Sequence, residues 1–141
     1  MLPVLRGHAD EPLPVLSVLI PASNEEALIG SCLRALLQSE WALSDPVEVI
    51  VISNGSHDQT AQRALSHQGA FEDKGWDLRV LDRKEGGKLC AMNVGDKVAR
   101  SDVRVYLDAD VEVSKRLLAD LFTALDTPDP RYASGTLHLI P

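Results

Sequence analysis

Four short apolar runs alternate with helical patterns along this chain, and this alternation limits the fold more than any other feature. The runs cover residues 16–20, 47–52, 78–81 and 103–107. Each run is too short for a buried helix and is bounded by turn or polar residues, which is typical of a buried strand. Strands separated by helices are joined by right-handed crossovers. The sequence therefore predicts an α/β fold with a doubly wound, mostly parallel sheet and helices on both faces.

The segments between the runs carry the helical signals. Ser23 and Glu26 match a capping box, and an apolar face follows at Ile29, Cys32, Leu33, Leu36 and Leu37. Further helices are predicted over residues 60–68 and 88–99, and after Ser114, which is a candidate cap. A fifth strand is predicted over residues 132–140.

Length and charge set the broad class of the protein. The 141 residues fit one domain, which we expect over residues 15–141, preceded by a flexible tail over residues 1–14. Fourteen basic and twenty-one acidic residues give a net charge of −7, which argues against a nucleic-acid partner. An anionic ligand must therefore be met by local means, such as a metal ion, a helix N-terminus or a single lysine.

The cysteines and the apolar runs bear on the cell compartment. Cys32 and Cys90 are interpreted as buried thiols rather than as a disulfide. No apolar run approaches the ~20 residues of a membrane span, and the start of the chain does not resemble a secretory signal. We expect a cytoplasmic chain without a membrane span.

Two carboxylates close the last of the four runs, as Asp108-Ala109-Asp110. A strand that ends this way delivers both side chains to the carboxyl edge of the sheet, where open α/β folds bind ligands. Like charges this close resist ionisation unless a cation lies between them. A hard divalent ion, completed by a substrate phosphate, meets this need. The alternative is an acidic turn whose aspartates cap the next helix.

The other strand ends each allow two interpretations. Glu25, after the first run, either accepts hydrogen bonds from a ribose or base, or complements a helix dipole. Asn54, after the second, offers a donor and an acceptor that suit an amide edge such as that of uracil, although turn chemistry explains it equally well. Lys88, after two glycines at a helix start, either meets an anion or is a tolerated surface lysine.

In this order, the four segments resemble the family-2 glycosyltransferases, which are inverting enzymes with the GT-A fold. The resemblance rests on residues 18–26, 51–60, 87–95 and 106–110, and it covers residues 16–141. It implies a nucleoside-diphosphate-sugar donor, with a UDP-sugar as the first expectation. The implied donor-binding residues are Pro21, Ala22 and Glu25 at the base and ribose, Asn54 at the base, Lys88 near the same pocket, and Asp108 at the ribose or metal. Asp110, with Asp108, would bind Mg²⁺ or Mn²⁺.

The resemblance also implies what the whole enzyme does. It would transfer the sugar with inversion to a saccharide or lipid-linked acceptor, in cell-envelope polysaccharide biosynthesis, with membrane association of the full-length protein left open. The family's general base is expected beyond Pro141, so we expect this chain to hold the donor-binding half. Ser53 stands where many relatives carry aspartate, which leaves the base uncertain. The alternatives are a non-catalytic nucleotide-sugar-binding module and a sugar nucleotidyltransferase.

Overall fold

The computed structural model describes residues 13–41, 46–84 and 86–125. The strands within these ranges are β1 (Leu16–Ala22), β2 (Val47–Asn54), β3 (Asp77–Arg83) and β4 (Arg104–Tyr106). The helices are α1 (Ile29–Leu37), α2 (Thr60–Leu65), α3 (Gln68–Lys74), α4 (Lys88–Val98) and α5 (Leu117–Leu125).

The described strands form one four-stranded sheet with the order β3-β2-β1-β4. Every strand pair is parallel, with Val18 opposite Val49 on one side and Val105 on the other. The chain lays β2 and β3 on one side of β1 and then returns to lay β4 on the other side. The predicted α/β, doubly wound, parallel sheet is confirmed. The change of direction between β1 and β4 opens a crevice at their carboxyl ends.

Two apolar clusters cover the two faces of the sheet. Residues of β1 alternate between them, as the period of a strand requires: Val18 and Ile20 pack with α1, Phe71 of α3 and Leu118 of α5, whereas Leu19 packs with α4. Among the described helices, α4 is alone on its face of the sheet. It connects β3 to β4 and so runs across the sheet in the direction opposite to the earlier connections, and right-handed crossovers in opposite directions lie on opposite faces.

Close packing holds α4 against the sheet. A Cβ atom added at Gly95 would lie 3.2 Å from Cδ1 of Ile52 and 3.4 Å from Cδ1 of Leu19. The helix axis therefore lies near the strands, and a larger side chain would push it away. This approach brings the first residue of α4, Lys88, to the carboxyl edge of the sheet.

Some local predictions were wrong. The helix predicted over residues 60–68 is two helices, α2 and α3, and α3 ends at Gly75 in the left-handed region with φ of 82°. The capping box at Ser23 is absent, since α1 begins only at Ile29 and no side chain caps it. The backbone N–H of Glu26 instead donates to Asp58, at 3.3 Å. Contacts with the loop after β2 therefore replace a local cap.

Other expectations have mixed outcomes. Neither cysteine forms a disulfide; Cys32 is buried as predicted, but Cys90 is only half-buried. The predicted cap residue Ser114 contributes its backbone carbonyl, which accepts from the N–H of Leu117 at 3.2 Å. The fifth strand over residues 132–140 and nearly all of the tail over residues 1–14 lie outside the described residues. In the ranges that the structure describes, no helix has both the length and the hydropathy to cross a membrane.

A buried carboxylate joins the amino ends of the strands. Glu48 of β2 is fully buried and accepts hydrogen bonds from the Ser17 hydroxyl of β1 at 2.6 Å and from Nη2 of Arg79 of β3 at 3.3 Å. Arg100, just before β4, donates its backbone N–H at 2.6 Å and its Nε at 3.0 Å. Arg100 also pairs with Asp77 at 3.0 Å. One carboxylate thus links β1, β2 and β3 to the segment before β4.

We predict that Glu48→Gln lowers the free energy of unfolding by ~3 kcal/mol, because it leaves the guanidinium groups without their buried counter-charge. Asp77→Asn is the matched control and should cost less than ~1 kcal/mol, since its side chain is 47% exposed and exposed pairs are weak. Urea denaturation of both variants measures this difference. Equal costs would contradict a central role for Glu48.

Candidate functional site

The segments that follow the strands close around one cleft of about 270 Å³ at the carboxyl edge of the sheet. Every site residue singled out from the sequence lines this cleft, although its role there stays a prediction. Ser23, Gly87, Ala91 and Ala109 line it as well, and sequence reasoning did not assign them to a site. The lining residues are Pro21, Ala22, Ser23, Glu25, Asn54, Gly87, Lys88, Ala91, Asp108, Ala109 and Asp110.

Asn54 is the most deeply buried polar group of the cleft, with 2% exposure. Its Nδ2 donates to the carbonyl oxygen of Gly87 at 2.7 Å, which fixes the orientation of the amide because only the nitrogen can donate. Its Oδ1 is buried without a hydrogen-bond partner. One of the two amide N–H groups of Asn54 is thus used within the protein, and the expectation that Asn54 faces a ligand stays a prediction.

An unsatisfied buried oxygen costs ~1–3 kcal/mol, which a ligand donor would recover. The donor of Asn54 is used because Gly87, with φ of 100°, turns its carbonyl towards β2. That φ favours glycine, since L side chains rarely adopt it. The sequence signal for this contact was the glycine pair before α4, for which the sequence analysis offered an anion site or a turn before a surface lysine.

Asp108 and Asp110 follow β4 on either side of Ala109, which is 4% exposed. The buried alanine anchors the turn between them. Behind it, the Cys32 thiol donates to the backbone carbonyl of Asp108 at 3.9 Å. Burial, together with Asp110 and other nearby acidic groups, raises the pKa of Cys32 to about 12, so the thiol stays a proton donor.

The two aspartates differ in their partners. Oδ1 of Asp108 forms an ion pair with Nζ of Lys88 at 2.7 Å. No ion-pair partner of Asp110 is present among the residues that the structure describes, and its side chain is exposed. The charge of the Asp108 carboxylate is thus balanced by Lys88, whereas the Asp110 carboxylate can still bind a cation.

Glu25 is held at the opposite side of the cleft by its own backbone. Its N–H donates to Oγ1 of Thr60 at 2.9 Å, and the preceding Asn24, with φ of 55°, accepts at its Oδ1 from the N–H of His57 at 2.7 Å. The Asn24 N–H donates to Oγ of Ser56 at 3.1 Å. The loop after β2 therefore fixes the loop after β1.

Both interpretations of Glu25 stay open. No acidic residue lies within the first turn of α1, but the Glu25 carbonyl accepts the N–H of Ile29 at 2.9 Å, so Glu25 directly precedes this helix. Burial raises the pKa of Glu25, and Asp110, Asp58 and Asp108 raise it further through charge repulsion. Thr60 supports Glu25, and Ser56 supports Asn24; sequence reasoning did not identify either contact. Asp58 accepts the N–H of Thr60, at 3.0 Å.

The described residues of the cleft supply some, but not all, of the ligands that a divalent cation needs. In the described ranges no three His, Cys, Asp or Glu side chains are arranged to hold a metal ion. The two aspartates offer oxygen donors, which Mg²⁺ and Mn²⁺ prefer, and such ions commonly complete their shell with water and substrate phosphate. Lys88 already places a positive charge against Asp108. The residues present therefore fit a cation that a bound phosphate helps to hold.

Comparison with known proteins identifies the family. The profile described as Glycosyl transferase family 2 matches residues 17–140, nearly the whole chain. The protein therefore belongs to glycosyl transferase family 2.

Individual relatives agree with this assignment. The chain is 29% identical over 109 residues to the uncharacterized glycosyltransferase EpsJ of Bacillus subtilis, covering 77% of this chain and 30% of that protein. It is 36% identical over 99 residues to the 4,4'-diaponeurosporenoate glycosyltransferase of Staphylococcus aureus, covering 68% and 24%. The chain thus spans less than a third of the length of these curated relatives.

Solved structures share the fold. A structure of S. aureus TarS 1-349 in complex with UDP matches with a TM-score of 0.68 and 26% identity, over 79% of this chain and 32% of that one. The mannosyltransferase PcManGT from Pyrobaculum calidifontis, in complex with GDP-Man and Mn²⁺, matches with a TM-score of 0.73 and 25% identity, over 83% and 34%. The expected GT-A architecture is confirmed.

The raised pKa of Glu25 predicts a pH-dependent stability. Because the folded state raises this pKa, the ionised carboxylate destabilises the fold near neutral pH, and the effect disappears below the unfolded pKa, about pH 4. Glu25→Gln should therefore raise the free energy of unfolding at neutral pH in metal-free buffer. The gain should stay below ~1 kcal/mol because solvent screens the group.

Thermal unfolding across this pH range measures the effect. Glu72→Gln, at an exposed site on α3, is the matched control and should show no such gain. A gain that persists unchanged at acid pH would show that its cause is not the charge of Glu25.

Proposed function

We propose that this chain forms the donor-binding part of a metal-dependent family-2 glycosyltransferase. The cleft would bind a nucleoside-diphosphate sugar together with Mg²⁺ or Mn²⁺. The whole protein would transfer the sugar, with inversion, to a saccharide or lipid-linked acceptor. The observation that carries the proposal is the meeting of a buried unpaired acceptor at Asn54, two carboxylates and a lysine in one cleft.

Each lining residue has a chemical part in this proposal. Pro21 and Ala22 offer apolar surface beside the base, while the Glu25 carboxylate would accept hydrogen bonds from ribose hydroxyl groups. Asp110 and Asp108 would hold the divalent ion, which when bound supplies a Lewis acid at the leaving diphosphate. Lys88, at the N-terminus of α4, would neutralise the same diphosphate.

The unpaired oxygen of Asn54 limits which base can bind. An acceptor requires an N–H from the ligand, and both uracil and guanine carry one on the ring nitrogen of their pairing edge. Cytosine and adenine carry a lone pair at that ring nitrogen, which would repel Oδ1, and they offer an N–H only from the exocyclic amino group beside it. UDP in the TarS complex and GDP-Man in the PcManGT complex support these two bases, and a UDP-sugar remains our first candidate.

This base preference can be tested by calorimetric titration of UDP, GDP, CDP and ADP in the presence of Mn²⁺. UDP or GDP should bind at least about tenfold more tightly than CDP and ADP, since a mismatched base leaves a buried acceptor unpaired. Asn54→Ala should remove the preference. Asn93→Ala, at an exposed site of α4 that does not line the cleft, should retain it. Equal affinities of the wild type for all four nucleotides would exclude this role.

Asp110→Asn tests the metal site, because it removes one charge with little change in shape. We expect the Mn²⁺-dependent affinity for UDP to fall by about 2 kcal/mol, or roughly thirtyfold, as for the loss of one charge-assisted contact. Glu112→Gln removes an equal charge from an exposed side chain two residues away and should change the affinity little. An unchanged affinity in Asp110→Asn would show that this residue is not a ligand.

Two alternatives give different results in the same titrations. A sugar nucleotidyltransferase would prefer UTP to UDP, whereas a glycosyltransferase would bind UDP at least as well. A non-catalytic module would bind UDP-sugar, but the full-length protein would form no glycoside when supplied with Mn²⁺ and a panel of acceptors. Where a glycoside forms, the anomeric configuration of the product, read by NMR, tests inversion.

We further propose a cytoplasmic location and a place in cell-envelope polysaccharide biosynthesis. Cys32 and Cys90 form no disulfide, which is consistent with a reducing compartment. The biosynthetic role rests on the family resemblance alone, and a gene deletion followed by analysis of envelope polysaccharides tests it.

A further inference from the structure

We propose that Lys88 is an exchangeable counter-ion of Asp108, which competes with the divalent metal in the free protein and moves to the diphosphate when nucleotide binds. This inference rests on the proposed donor site and adds to it a regulation of metal binding. The metal would bind weakly to the empty cleft and tightly together with nucleotide, and one lysine would cause both effects.

The first step is the contact itself. Nζ of Lys88 lies 2.7 Å from Oδ1 of Asp108, so an ammonium group occupies one of the oxygens that a metal would need. The cleft is otherwise acidic: of the described residues that line it, Lys88 is the single basic one, beside Glu25, Asp108 and Asp110. In the free protein this lysine is the local neutraliser of the carboxylates.

The second step is the strength of the pair. The Lys88 side chain is 59% exposed and that of Asp108 is 41% exposed. Ion pairs that water reaches to this extent change an equilibrium constant by no more than about fivefold. The contact is therefore strong enough to reduce metal affinity measurably, and weak enough to break when a better anion arrives.

The third step is the position of the lysine. Lys88 is the first residue of α4, where a positive side chain is unfavourable against the helix dipole. An anion bound at this helix end would interact with both the dipole and the ammonium group. A diphosphate beside Asp108 would thus draw Lys88 away from the carboxylate and leave its oxygen for the metal.

These steps predict that Lys88 changes the metal affinity in opposite directions without and with nucleotide. Without nucleotide, Lys88 opposes the metal, so its removal should raise metal affinity. With nucleotide, Lys88 holds the diphosphate that completes the metal shell, so its removal should lower metal affinity. Binding free energies are reciprocal, and the metal must then strengthen nucleotide binding by the same factor. A lysine that only bound phosphate would leave the nucleotide-free metal affinity unchanged.

The test measures Mn²⁺ binding to the 141-residue chain from the electron paramagnetic resonance signal of free Mn²⁺, without UDP and with UDP held near its dissociation constant for the wild type. Lys88→Met keeps most of the length of the side chain and removes its charge. We expect its Mn²⁺ affinity to rise two- to fivefold without UDP, the range of an exposed pair. With UDP, it should fall about tenfold or more, as for the loss of a charge-assisted contact.

Two further variants separate the exchange from other effects. Lys84→Met removes an equal charge from an exposed residue that does not line the cleft, and Lys88→Arg retains the charge. Both should stay near wild type without UDP. Unchanged or lower affinity of Lys88→Met without UDP overturns the exchange, and so does an equal rise in Lys84→Met. A wild-type chain that binds neither UDP nor Mn²⁺ overturns the proposed donor site itself.

Discussion

The buried carboxylate of Glu48 is the interaction on which the arrangement of the strands depends. A charged group without exposure must be paired and hydrogen-bonded, and its partners come from β1, from β3 and from the segment before β4. The apolar faces alone do not specify the order of the strands, since each is a run of similar side chains. This directional network fixes the amino ends, and the carboxyl ends then converge at the opposite edge.

The Glu48 network lies at the amino edge of the sheet and the cleft lies at the carboxyl edge. Repulsion between the charges of the cleft therefore acts away from the contacts that hold the strands together. Burial and repulsion from Asp110, Asp58 and Asp108 raise the pKa of Glu25, so the ionised form of Glu25 is disfavoured in the free cleft. Two apolar clusters and the Glu48 network provide stability elsewhere. Sites that bind cations commonly accumulate such repulsion, which the ligand relieves.

The sequence was sufficient to predict the four strands and seven of the residues that line the cleft, because both follow from local patterns and from one rule of parallel sheets. Each apolar run became a strand, and the residues after the runs met at one edge. The failures involve contacts that local patterns do not encode. The bonds that support Glu25 and Asn24 join residues 35 and 32 positions apart, and they replaced the predicted capping box. Likewise, the hydrogen bond from Asn54 to Gly87 spans 33 positions and had no local signal in the sequence.

The remaining needs of the cleft are chemically different, and together they narrow the ligand. The oxygen of Asn54 needs an N–H donor, Asp110 needs a cation, and Lys88 needs another anion once a cation takes its place at Asp108. A sugar phosphate supplies an anion but no base N–H, and a metal ion alone displaces Lys88 without offering it a partner. The proposed ligand, a nucleoside diphosphate that shares a divalent ion with the aspartates, would meet all three needs at once. In this proposal the cleft is complementary to the complex of nucleotide and metal rather than to either component.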